Sequence, residues 1–314
     1  MLTNYLITGG AGFIGSHLVR RLVAQGVVVR VVDNLSTGQL DRLEDMKGSI
    51  EFVEGDVSDD RVSDEVVKGV QYVFHQAAIP SVQRSVRDPI ATNRANVTAT
   101  LNLLESCRRA GVHRFVYAAS SSAYGDTEVL PKVESMCPNP LSPYALQKLV
   151  GEHYCKLYYE LYGLETVCLR YFNVFGPNQD PHSEYSAVIP KFISGLLAKE
   201  PITVYGDGEQ SRDFTYVDNV VEANLLAMRA EGDAAGKVYN VGCGERISLN
   251  NLIRLLECLL NVNATVNYAK MRSGDVRHSL ADITLACRFL GYTPEIKAEE
   301  GLRRTVEAMV AATH

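Results

Sequence analysis

The 314-residue chain predicts an α/β fold with a doubly wound parallel sheet and a smaller C-terminal α/β lobe. Two observations support this prediction. Short apolar runs alternate with segments whose apolar residues recur at helical spacing, which is the pattern of successive βαβ units. A glycine-rich turn joins the first apolar run to the first helical segment, as in dinucleotide-binding sheets of the Rossmann type.

The elements of the first half follow in a regular order. The run YLITGG predicts the first strand, and FIGSHLVRRLVAQG predicts a helix that stops at a glycine. Further buried strands are predicted for VVVRVVD, IEFVEGDV, VQYVFHQAA and RFVYAASS. Helices are predicted for DRVSDEVVKG, ATNRANVTATLNLLESCRRAG and SPYALQKLVGEHYCKLYYELYG.

The second half is less regular. After TVCLRYFNVFGP the pattern fades, and it resumes with FISGLLAKE, ITVYGDG, VDNVVEANLLAMRA and NLIRLLECLL. We therefore expect a dinucleotide-binding domain over residues 1–172 and a second lobe over 173–314. Segments near 213–243 are expected to return to the first sheet.

Composition limits the class of protein. The content is 46% hydrophobic and 22% charged, and no stretch approaches the roughly 18 apolar residues of a transmembrane helix. The N-terminus lacks the basic region and cleavage site of a signal peptide, so we expect a cytoplasmic protein. A net charge of -6 without basic runs argues against nucleic acid or membrane partners. Seven scattered cysteines without a C-x-x-C pair predict neither a metal site nor disulfides.

The glycine-rich turn predicts the cofactor. Gly9, Gly12 and Gly15 have G-x-x-G-x-x-G spacing, which lets backbone N–H groups approach a pyrophosphate at a helix N-terminus. Asp33 ends the second strand, where an acid accepts hydrogen bonds from the adenosine ribose and repels a 2'-phosphate. NAD is therefore favoured over NADP. Asp56 ends the third strand, and it is either close to the adenine or a turn or N-cap residue.

The stretch SPYALQK places Tyr144 and Lys148 four residues apart. On a helix both side chains share one face, so the ammonium would lower the pKa of the phenol. In a chain with 16 tyrosines this spacing alone is weak evidence. The serine-rich segment SSSAYG shortly before it strengthens the interpretation of Tyr144 as a base.

Six motifs occur together in an order that resembles one enzyme family: GGAGFIGSHLV, SSSAYG, SPYALQK, RYFNVFGP, GDGEQSRDFTYVDN and RSGDVRHSLAD. Over nearly its whole length the chain resembles the extended short-chain dehydrogenases/reductases. Within them it resembles the UDP-N-acetylglucosamine and UDP-glucose 4-epimerases. The resemblance implies an NAD-dependent isomerase that oxidises C4' of a UDP-hexose to a 4-keto sugar. The keto sugar then rotates and is reduced on its other face.

The resemblance also implies residue roles. Tyr144 is the base toward the 4'-hydroxyl, Lys148 holds the nicotinamide ribose, and Ser120 relays the proton; Lys148 and the oxidised nicotinamide ring would lower the pKa of Tyr144. The implied cofactor residues are Gly9, Gly12, Phe13, Ile14, Gly15, Asp33, Asn34, Ser36, Thr37, Gly38, Asp56, Val57, Gln76, Ala77, Ala78, Asn96, Ala118, Tyr144, Lys148, Tyr171 and Val174. The implied substrate residues are Ser81, Ser120, Ser121, Ser122, Asn173, Gln179, Ala187, Val188, Val204, Tyr205, Arg212, Arg272, Asp275 and Ser279.

Within the substrate set, Arg212 and Arg272 resemble the family's diphosphate ligands, and Arg277 is a weaker candidate. Asn173 is expected at the diphosphate or the sugar, and Asp275 at the ribose. The backbone around residues 204–205 is expected at the uracil.

The same resemblance bears on the size of the sugar. Ser279 stands where some epimerases limited to unacetylated sugars have tyrosine, so it leaves space for an N-acetyl group. Gln179 and Ala187 match positions on the acetamido side. Pro80 departs from the family's glycine or lysine, which puts the contacts of its loop with the sugar in doubt.

Four other functions were weighed. A 4,6-dehydratase is disfavoured because Ser121 and Ser122 follow Ser120 where that branch has an Asp-Glu pair. A UDP-glucuronate decarboxylase or 4-epimerase stays open, and so does a non-catalytic NAD-binding module. A reductase that releases its cofactor is less favoured. The two long helices pair across a two-fold axis in the family, so the resemblance implies a homodimer.

Overall fold

The computed structural model describes residues 4–181, 187–271 and 276–312. The strands are β1 (Tyr5–Thr8), β2 (Val29–Asp33), β3 (Ile50–Glu54), β4 (Tyr72–His75), β5 (Arg114–Ser120), β6 (Glu165–Tyr171), β7 (Val174–Phe175), β8 (Ile202–Tyr205), β9 (Ser211–Arg212), β10 (Thr215–Tyr216), β11 (Lys237–Val241), β12 (Ile247–Ser248) and β13 (Val266–Ala269). The α-helices are α1 (Phe13–Ala24), α2 (Asp60–Val66), α3 (Val82–Arg87), α4 (Pro89–Asn93), α5 (Ala99–Ala110), α6 (Pro143–Tyr162), α7 (Val188–Leu197), α8 (Val217–Arg229), α9 (Leu249–Leu260), α10 (Thr284–Leu290) and α11 (Ala298–Ala311). Short 3-10 helices cover 40–49, 121–124 and 232–234.

A seven-stranded parallel sheet forms the centre, in the order β3-β2-β1-β4-β5-β6-β11. Tyr5 of β1 lies opposite Val29 of β2 and Tyr72 of β4, so the strand order reverses direction at β1. The predicted α/β fold with a doubly wound Rossmann sheet is therefore confirmed.

Both faces of the sheet are covered, because successive residues of a strand point to opposite sides. Ile7 belongs to the core under α1 and α8, with Leu18 and Val220. Leu6 belongs to the opposite core under α5 and α6, with Leu103. Strands buried on both faces explain the continuous apolar runs of the sequence.

The smaller lobe has a core of its own, in which side chains from α7, α9 and α11 pack around β8. β11 comes from the second half of the chain and pairs with β6 along five residues. In the described residues, no helix is long and apolar enough to cross a membrane.

One predicted helix differs in detail. The segment ATNRANVTATLNLLESCRRAG continues from α4 into α5 through a π-helical turn at Arg94–Thr98. The wider turn lies on the side of the helix that packs on α6, and π turns are frequent at functional sites.

Candidate active site

A cleft of about 1030 Å³ opens at the carboxyl ends of the sheet strands. It is lined both by the glycine-rich turn of the first domain and by residues of the smaller lobe, including Asn173 and Ser279. In open α/β sheets, ligands bind at this edge, where the strand order reverses.

The glycine-rich turn has no room for side chains. Gly9 has a left-handed φ of +67°, and a Cβ there would lie 2.7 Å from the backbone N and Cα of Ala77. A Cβ at Gly15 would lie 2.1 Å from the carbonyl oxygen of Gly9. Gly12 precedes the first residue of α1 and carries no side chain, so the first-turn N–H groups are open to an anion.

Asp33 braces this turn. Its Oδ2 accepts from the backbone N of Ala11 at 3.0 Å, and its Oδ1 accepts from the backbone N of Leu35 at 2.9 Å. Burial raises the pKa of Asp33, while these two hydrogen bonds and the nearby Arg42 lower it. A carboxylate oxygen has two lone pairs, so each can also accept from a ribose hydroxyl. The site therefore fits the adenosine half of NAD.

Asp56 also lines the cleft. Its Oδ1 accepts from the backbone N of Ser58 at 2.8 Å, and its Oδ2 accepts from Asn34 Nδ2 at 3.1 Å. The N-cap of α2 is Asp59, so Asp56 is not the helix cap; its bond from the backbone N of Ser58 instead gives it the alternative role of a turn aspartate. Except for Asn96, every predicted cofactor residue lines the cleft.

Asn96 lies behind the cleft, so the predicted contact with the cofactor is not supported. Its Oδ1 accepts from the backbone N of Ile79 at 2.8 Å, and its Nδ2 donates to Gln147 Oε1 at 2.8 Å. Gln147 in turn donates to Thr92 Oγ1 at 3.1 Å. Asn96 thus ties the loop that lines the cleft to the helix that carries Tyr144 and Lys148.

Tyr144 lies in the first turn of α6. This helix begins at Pro143, and Ser142 is its N-cap. Its backbone N donates to Ser85 Oγ at 3.0 Å, which fixes the start of α6 against α3. Its phenol lies close enough to the side chain of Ser120 for that hydroxyl to lower the pKa of Tyr144.

Ser120 ends β5 beside the tyrosine. Its Oγ accepts from Ser122 Oγ at 2.8 Å and from the backbone N of Ser122 at 3.2 Å. With both acceptor sites used, the hydroxyl proton of Ser120 is directed to the phenol oxygen of Tyr144 or to a substrate oxygen. The Ser120 hydroxyl lowers the pKa of Tyr144, but burial raises it by more.

Lys148 is almost fully buried, and its Nζ donates to the carbonyl oxygen of Ala118 at 2.7 Å. Its Nζ also lies 5.0 Å from the centroid of the Tyr117 ring. Burial lowers the pKa of Lys148 to about 8. The expectation that Lys148 lowers the pKa of Tyr144 is not met by the protein residues alone, because burial outweighs the polar contacts of the phenol.

A buried histidine, not singled out in the sequence, supports the same region. Thr100 Oγ1 donates its one proton to the carbonyl oxygen of Asn96 at 2.7 Å. In its contact with Nε2 of His75, at 2.9 Å, the Thr100 hydroxyl is therefore the acceptor and the ring nitrogen is the donor. Nδ1 of His75 then accepts from Thr8 Oγ1 at 2.7 Å, and Thr8 accepts from the N of Ala77. Burial lowers the pKa of His75 to about 3, so the ring stays neutral.

In the smaller lobe, Asn173 lines the cleft and is hydrogen-bonded to Asp213 and Ser279. It has a left-handed φ of +33°, and its Nδ2 donates to the carbonyl oxygen of Asp213 at 3.1 Å and to Ser279 Oγ at 3.0 Å. The carboxylate of Asp213 accepts from the backbone N of Cys243 and of two further residues. Ser279 is therefore held by a rigid, buried set of hydrogen bonds.

The remaining substrate candidates divide into four groups. Arg212, Gln179 and Ala187 line the cleft together with the predicted serines, Ser81 and Ser120–Ser122. Val188, Val204 and Tyr205 lie outside the lining, because α7 and β8 turn their side chains to the core and surface of the lobe. Arg272 and Asp275 lie outside the described residues. Arg277 is occupied at the surface, where it pairs with Asp207 at 2.9 Å.

The lining residues that were not predicted from the sequence include Arg42, Arg84, Tyr124 and Lys132. Arg42 and Arg84 lie on local helical turns without a motif, and the sequence carried no signal for them. Tyr124 lies within the quoted motif SSSAYG and could have been named. Within the described ranges, no group of three metal-ligating side chains occurs.

Residues 5–242 match the NAD-dependent epimerase/dehydratase family. A curated relative, the putative UDP-glucose 4-epimerase of Methanocaldococcus jannaschii, is 40% identical over 306 residues, 97% of each chain.

Two solved structures are similar to the whole fold. One is the UDP-glucose 4-epimerase of Thermotoga maritima with UDP-glucose, at 39% identity and a TM-score of 0.94, with 99% of this chain and 100% of that chain covered. The other is the UDP-N-acetylglucosamine 4-epimerase of Methanobrevibacter ruminantium in complex with UDP-N-acetylmuramic acid. It has 40% identity and a TM-score of 0.94, with 99% of each chain covered.

Proposed function

Because the chain belongs to the NAD-dependent epimerase/dehydratase family, we propose that it is an isomerase that interconverts UDP-hexoses differing in configuration at C4. Its cofactor is NAD. The observation that carries the proposal is one cleft in which the glycine-rich turn and the Ser120–Tyr144–Lys148 cluster meet. The chemistry that NAD supplies when bound is reversible hydride transfer at C4 of the sugar.

The chain's own residues handle the proton. In this proposal Tyr144 accepts the proton of the sugar 4'-hydroxyl, and both Tyr144 and Ser120 line the cleft where that hydroxyl would lie. Ser120, with both acceptor sites used by Ser122, donates toward the same oxygen. Lys148 supplies positive charge behind them and would hold the nicotinamide ribose.

The nucleotide is held by the smaller lobe in this proposal. Arg212 lines the cleft and suits diphosphate oxygens, because a guanidinium forms paired hydrogen bonds with them. Asn173 is braced on Asp213 and Ser279 and is the amide candidate for the diphosphate or the sugar. Holding the UDP part tightly leaves the sugar free to turn between its two faces.

Both acetylated and unacetylated hexoses are proposed as substrates. Ser279 is small, and its hydroxyl is turned to Asn173, which leaves the cleft side open. Gln179 has a buried Oε1 without a hydrogen-bond partner in the described structure, so it can accept from an acetamido N–H. A gate of this size changes preference by only about 1–3 kcal/mol, so activity on UDP-Glc is retained.

The experiment follows C4 epimers by NMR, with UDP-GlcNAc and UDP-Glc in separate reactions and catalytic NAD. Conversion of both is expected. Tyr144→Phe should abolish conversion while NAD binding persists, because the glycine-rich turn and Asp33 are unchanged. Unchanged turnover in Tyr144→Phe would refute the role of Tyr144, and no conversion of either sugar would refute the epimerase.

We also propose a homodimer through α6. Leu146, Leu157 and Leu161 are 52%, 45% and 65% exposed, and their spacing of 11 and 4 residues places them on one helical face. Tyr162 beside them is 54% exposed. Leu157→Glu should convert the dimer to a monomer in sedimentation experiments, and a monomeric wild-type protein would refute the proposal.

A further inference from the structure

A buried ion pair lies behind the cleft and takes no part in the chemistry proposed above. Arg170 of β6 donates from Nε to Glu152 Oε1 at 2.9 Å and from Nη2 to Glu152 Oε2 at 2.7 Å. Both side chains are 4% exposed. Among the described residues that line the cleft, neither Arg170 nor Glu152 occurs. Because burial of two charges costs desolvation energy that their attraction barely repays, stability alone does not explain this pair.

Glu152 shares a helical face with Lys148. Both lie on α6, four residues apart, a spacing at which a lysine and a glutamate can form an ion pair. Burial lowers the pKa of Lys148 to about 8, while Cys155 and Glu152 act in the opposite direction. The ammonium nevertheless donates to the carbonyl oxygen of Ala118, a residue that lines the cleft. The spacing alone would therefore allow Glu152 to compete for the ammonium.

Arg170 holds the carboxylate of Glu152 from the neighbouring sheet. In that sheet it lies opposite Ala119 of β5. Its planar guanidinium contacts both carboxylate oxygens, and a two-point contact of this kind fixes the direction of the carboxylate. The guanidinium also lies over the ring of Tyr124, with Cζ 4.6 Å from the ring centroid. The Tyr124 hydroxyl donates to Asn240 Oδ1 at 2.7 Å, so Arg170 is held between an anchored ring and Glu152.

From these contacts we propose that Arg170 is a positioning residue for the reaction: by occupying Glu152, it leaves the ammonium of Lys148 at the cleft. The inference rests on the proposed function. Without Arg170, Glu152 would be a buried carboxylate without its partner, which is costly. The ammonium one turn away on the same face would turn to it and leave the Ala118 carbonyl oxygen. Its positive charge would then be withdrawn from Tyr144 and from the nicotinamide ribose.

Two substitutions damage the same ion pair from opposite sides. Arg170→Gln leaves the carboxylate in place, so kcat for epimerisation of UDP-Glc should fall about 30-fold or more. Glu152→Gln leaves no carboxylate to draw Lys148, so kcat should stay within about 3-fold of that of the unaltered enzyme. Each protein is assayed at a temperature at which near-UV circular dichroism shows it folded. A merely structural ion pair would give similar losses of kcat in both variants.

The double variant Arg170→Gln/Glu152→Gln separates the two explanations further. It carries neither charge, so the ammonium of Lys148 should return to the Ala118 carbonyl oxygen and kcat should recover to within about 5-fold of that of the unaltered enzyme. The affinity for NAD gives a readout that is independent of turnover, because Lys148 would hold the nicotinamide ribose. In calorimetric titration of the NAD-free proteins, Arg170→Gln should weaken NAD binding about 10-fold, and the double variant should restore it.

A second buried strand arginine provides the control. Arg114 of β5 donates from Nε to Glu165 Oε2 at 2.9 Å, at the opposite end of the strand from Ser120. Arg114→Gln should lower the free energy of unfolding and leave kcat within about 3-fold. If Arg170→Gln does not fold, Arg170→Lys replaces it. A lysine does not form the two-point contact, so kcat should fall about 5-fold or more, and adding Glu152→Gln should restore it.

Three results would overturn the inference: unchanged kcat in Arg170→Gln, equal loss of kcat in Arg170→Gln and Glu152→Gln, or a double variant no more active than Arg170→Gln. Failure of the unaltered enzyme to epimerise any UDP-hexose would overturn the proposed function instead. The order of the NAD affinities would then still decide whether Arg170 positions Lys148.

Discussion

Replacing Lys148 by methionine should stabilise the NAD-free protein and inactivate the enzyme. Lys148 is 3% exposed, and burial lowers its pKa from 10.5 to about 8. That difference means that the charged lysine costs the folded state about 3 kcal/mol below pH 8. Methionine has a similar length and no charge to desolvate, so this cost is removed.

The loss of one hydrogen bond offsets part of this gain in the free energy of unfolding. The Nζ of Lys148 donates to the Ala118 carbonyl oxygen at 2.7 Å, and methionine leaves that buried acceptor without its partner. Losing it costs about 1–2 kcal/mol. The expected net result is a free energy of unfolding about 1–2 kcal/mol higher at pH 7. Turnover should fall about 100-fold or more, because the charge behind Tyr144 is gone.

The pH dependence gives a second readout. Because the pKa of Lys148 is lower in the folded state, the unfolded chain binds more protons between pH 8 and 10.5. Lys148 therefore adds stability as the pH rises through this window, and the advantage of Lys148→Met should shrink there. Urea denaturation of both proteins at pH 7, 9 and 10.5 measures this difference in the free energy of unfolding.

The matched control lies two turns further along α6. Lys156 is 61% exposed, and its Nζ lies 3.6 Å from Glu160 Oε1. Lys156→Met should change the free energy of unfolding by less than about 0.5 kcal/mol. Destabilisation of the NAD-free Lys148→Met protein by more than about 1 kcal/mol at pH 7 would show that burial of the ammonium is not the dominant cost.

Three further outcomes are expected. Gly9→Ala should weaken NAD binding about 10-fold or more in calorimetric titration, because its Cβ would lie 2.7 Å from backbone atoms of Ala77. Glu152→Gln should lower the free energy of unfolding by about 3–5 kcal/mol in urea, because it leaves the buried Arg170 without its carboxylate. Ser279→Tyr should reduce kcat/KM for UDP-GlcNAc about 10-fold or more and spare UDP-Glc.

Each of these outcomes has a matched control. Gly26 has a left-handed φ of +78° but open space around it, so Gly26→Ala should leave NAD binding unchanged. Glu160 is 51% exposed, so Glu160→Gln should have a small effect on stability. Ser279→Ala removes the hydroxyl without filling the cleft and should keep both activities. If a control matched its partner variant, the corresponding structural reason would be wrong.

Features that depend on nearby residues could be predicted from the sequence. The glycine-rich turn needs only the spacing of Gly9, Gly12 and Gly15 between a strand and a helix, and Asp33 follows from the end of the next strand. The fold was therefore predicted correctly, and the predicted Gly9, Gly12, Gly15 and Asp33 all line the cleft. The helical spacing of Tyr144 and Lys148 was also correct, since both lie in α6.

Features that depend on distant partners could not be predicted. His75 is hydrogen-bonded to Thr8, 67 residues away in the sequence, and to Thr100, 25 residues away. No local sequence pattern predicts either hydrogen bond. The family resemblance implied a cofactor contact for Asn96, but its amide contacts Ile79 and Gln147. The burial that raises the pKa of Tyr144 in the chain alone follows from tertiary packing, so the sequence does not indicate it, and the lowering of that pKa by Lys148 together with bound NAD stays a prediction.

The edge strand β11 has a consequence for how the chain is made. β6 forms its outer ladder with Lys237–Val241, and the backbone N of Phe172 donates to the Val241 carbonyl oxygen at 3.0 Å. During synthesis, β6 therefore keeps an open, apolar edge until residue 241 has left the ribosome, and such edges pair with other chains. A fragment that ends at residue 172 would carry this edge permanently, so the two lobes should be produced as one polypeptide.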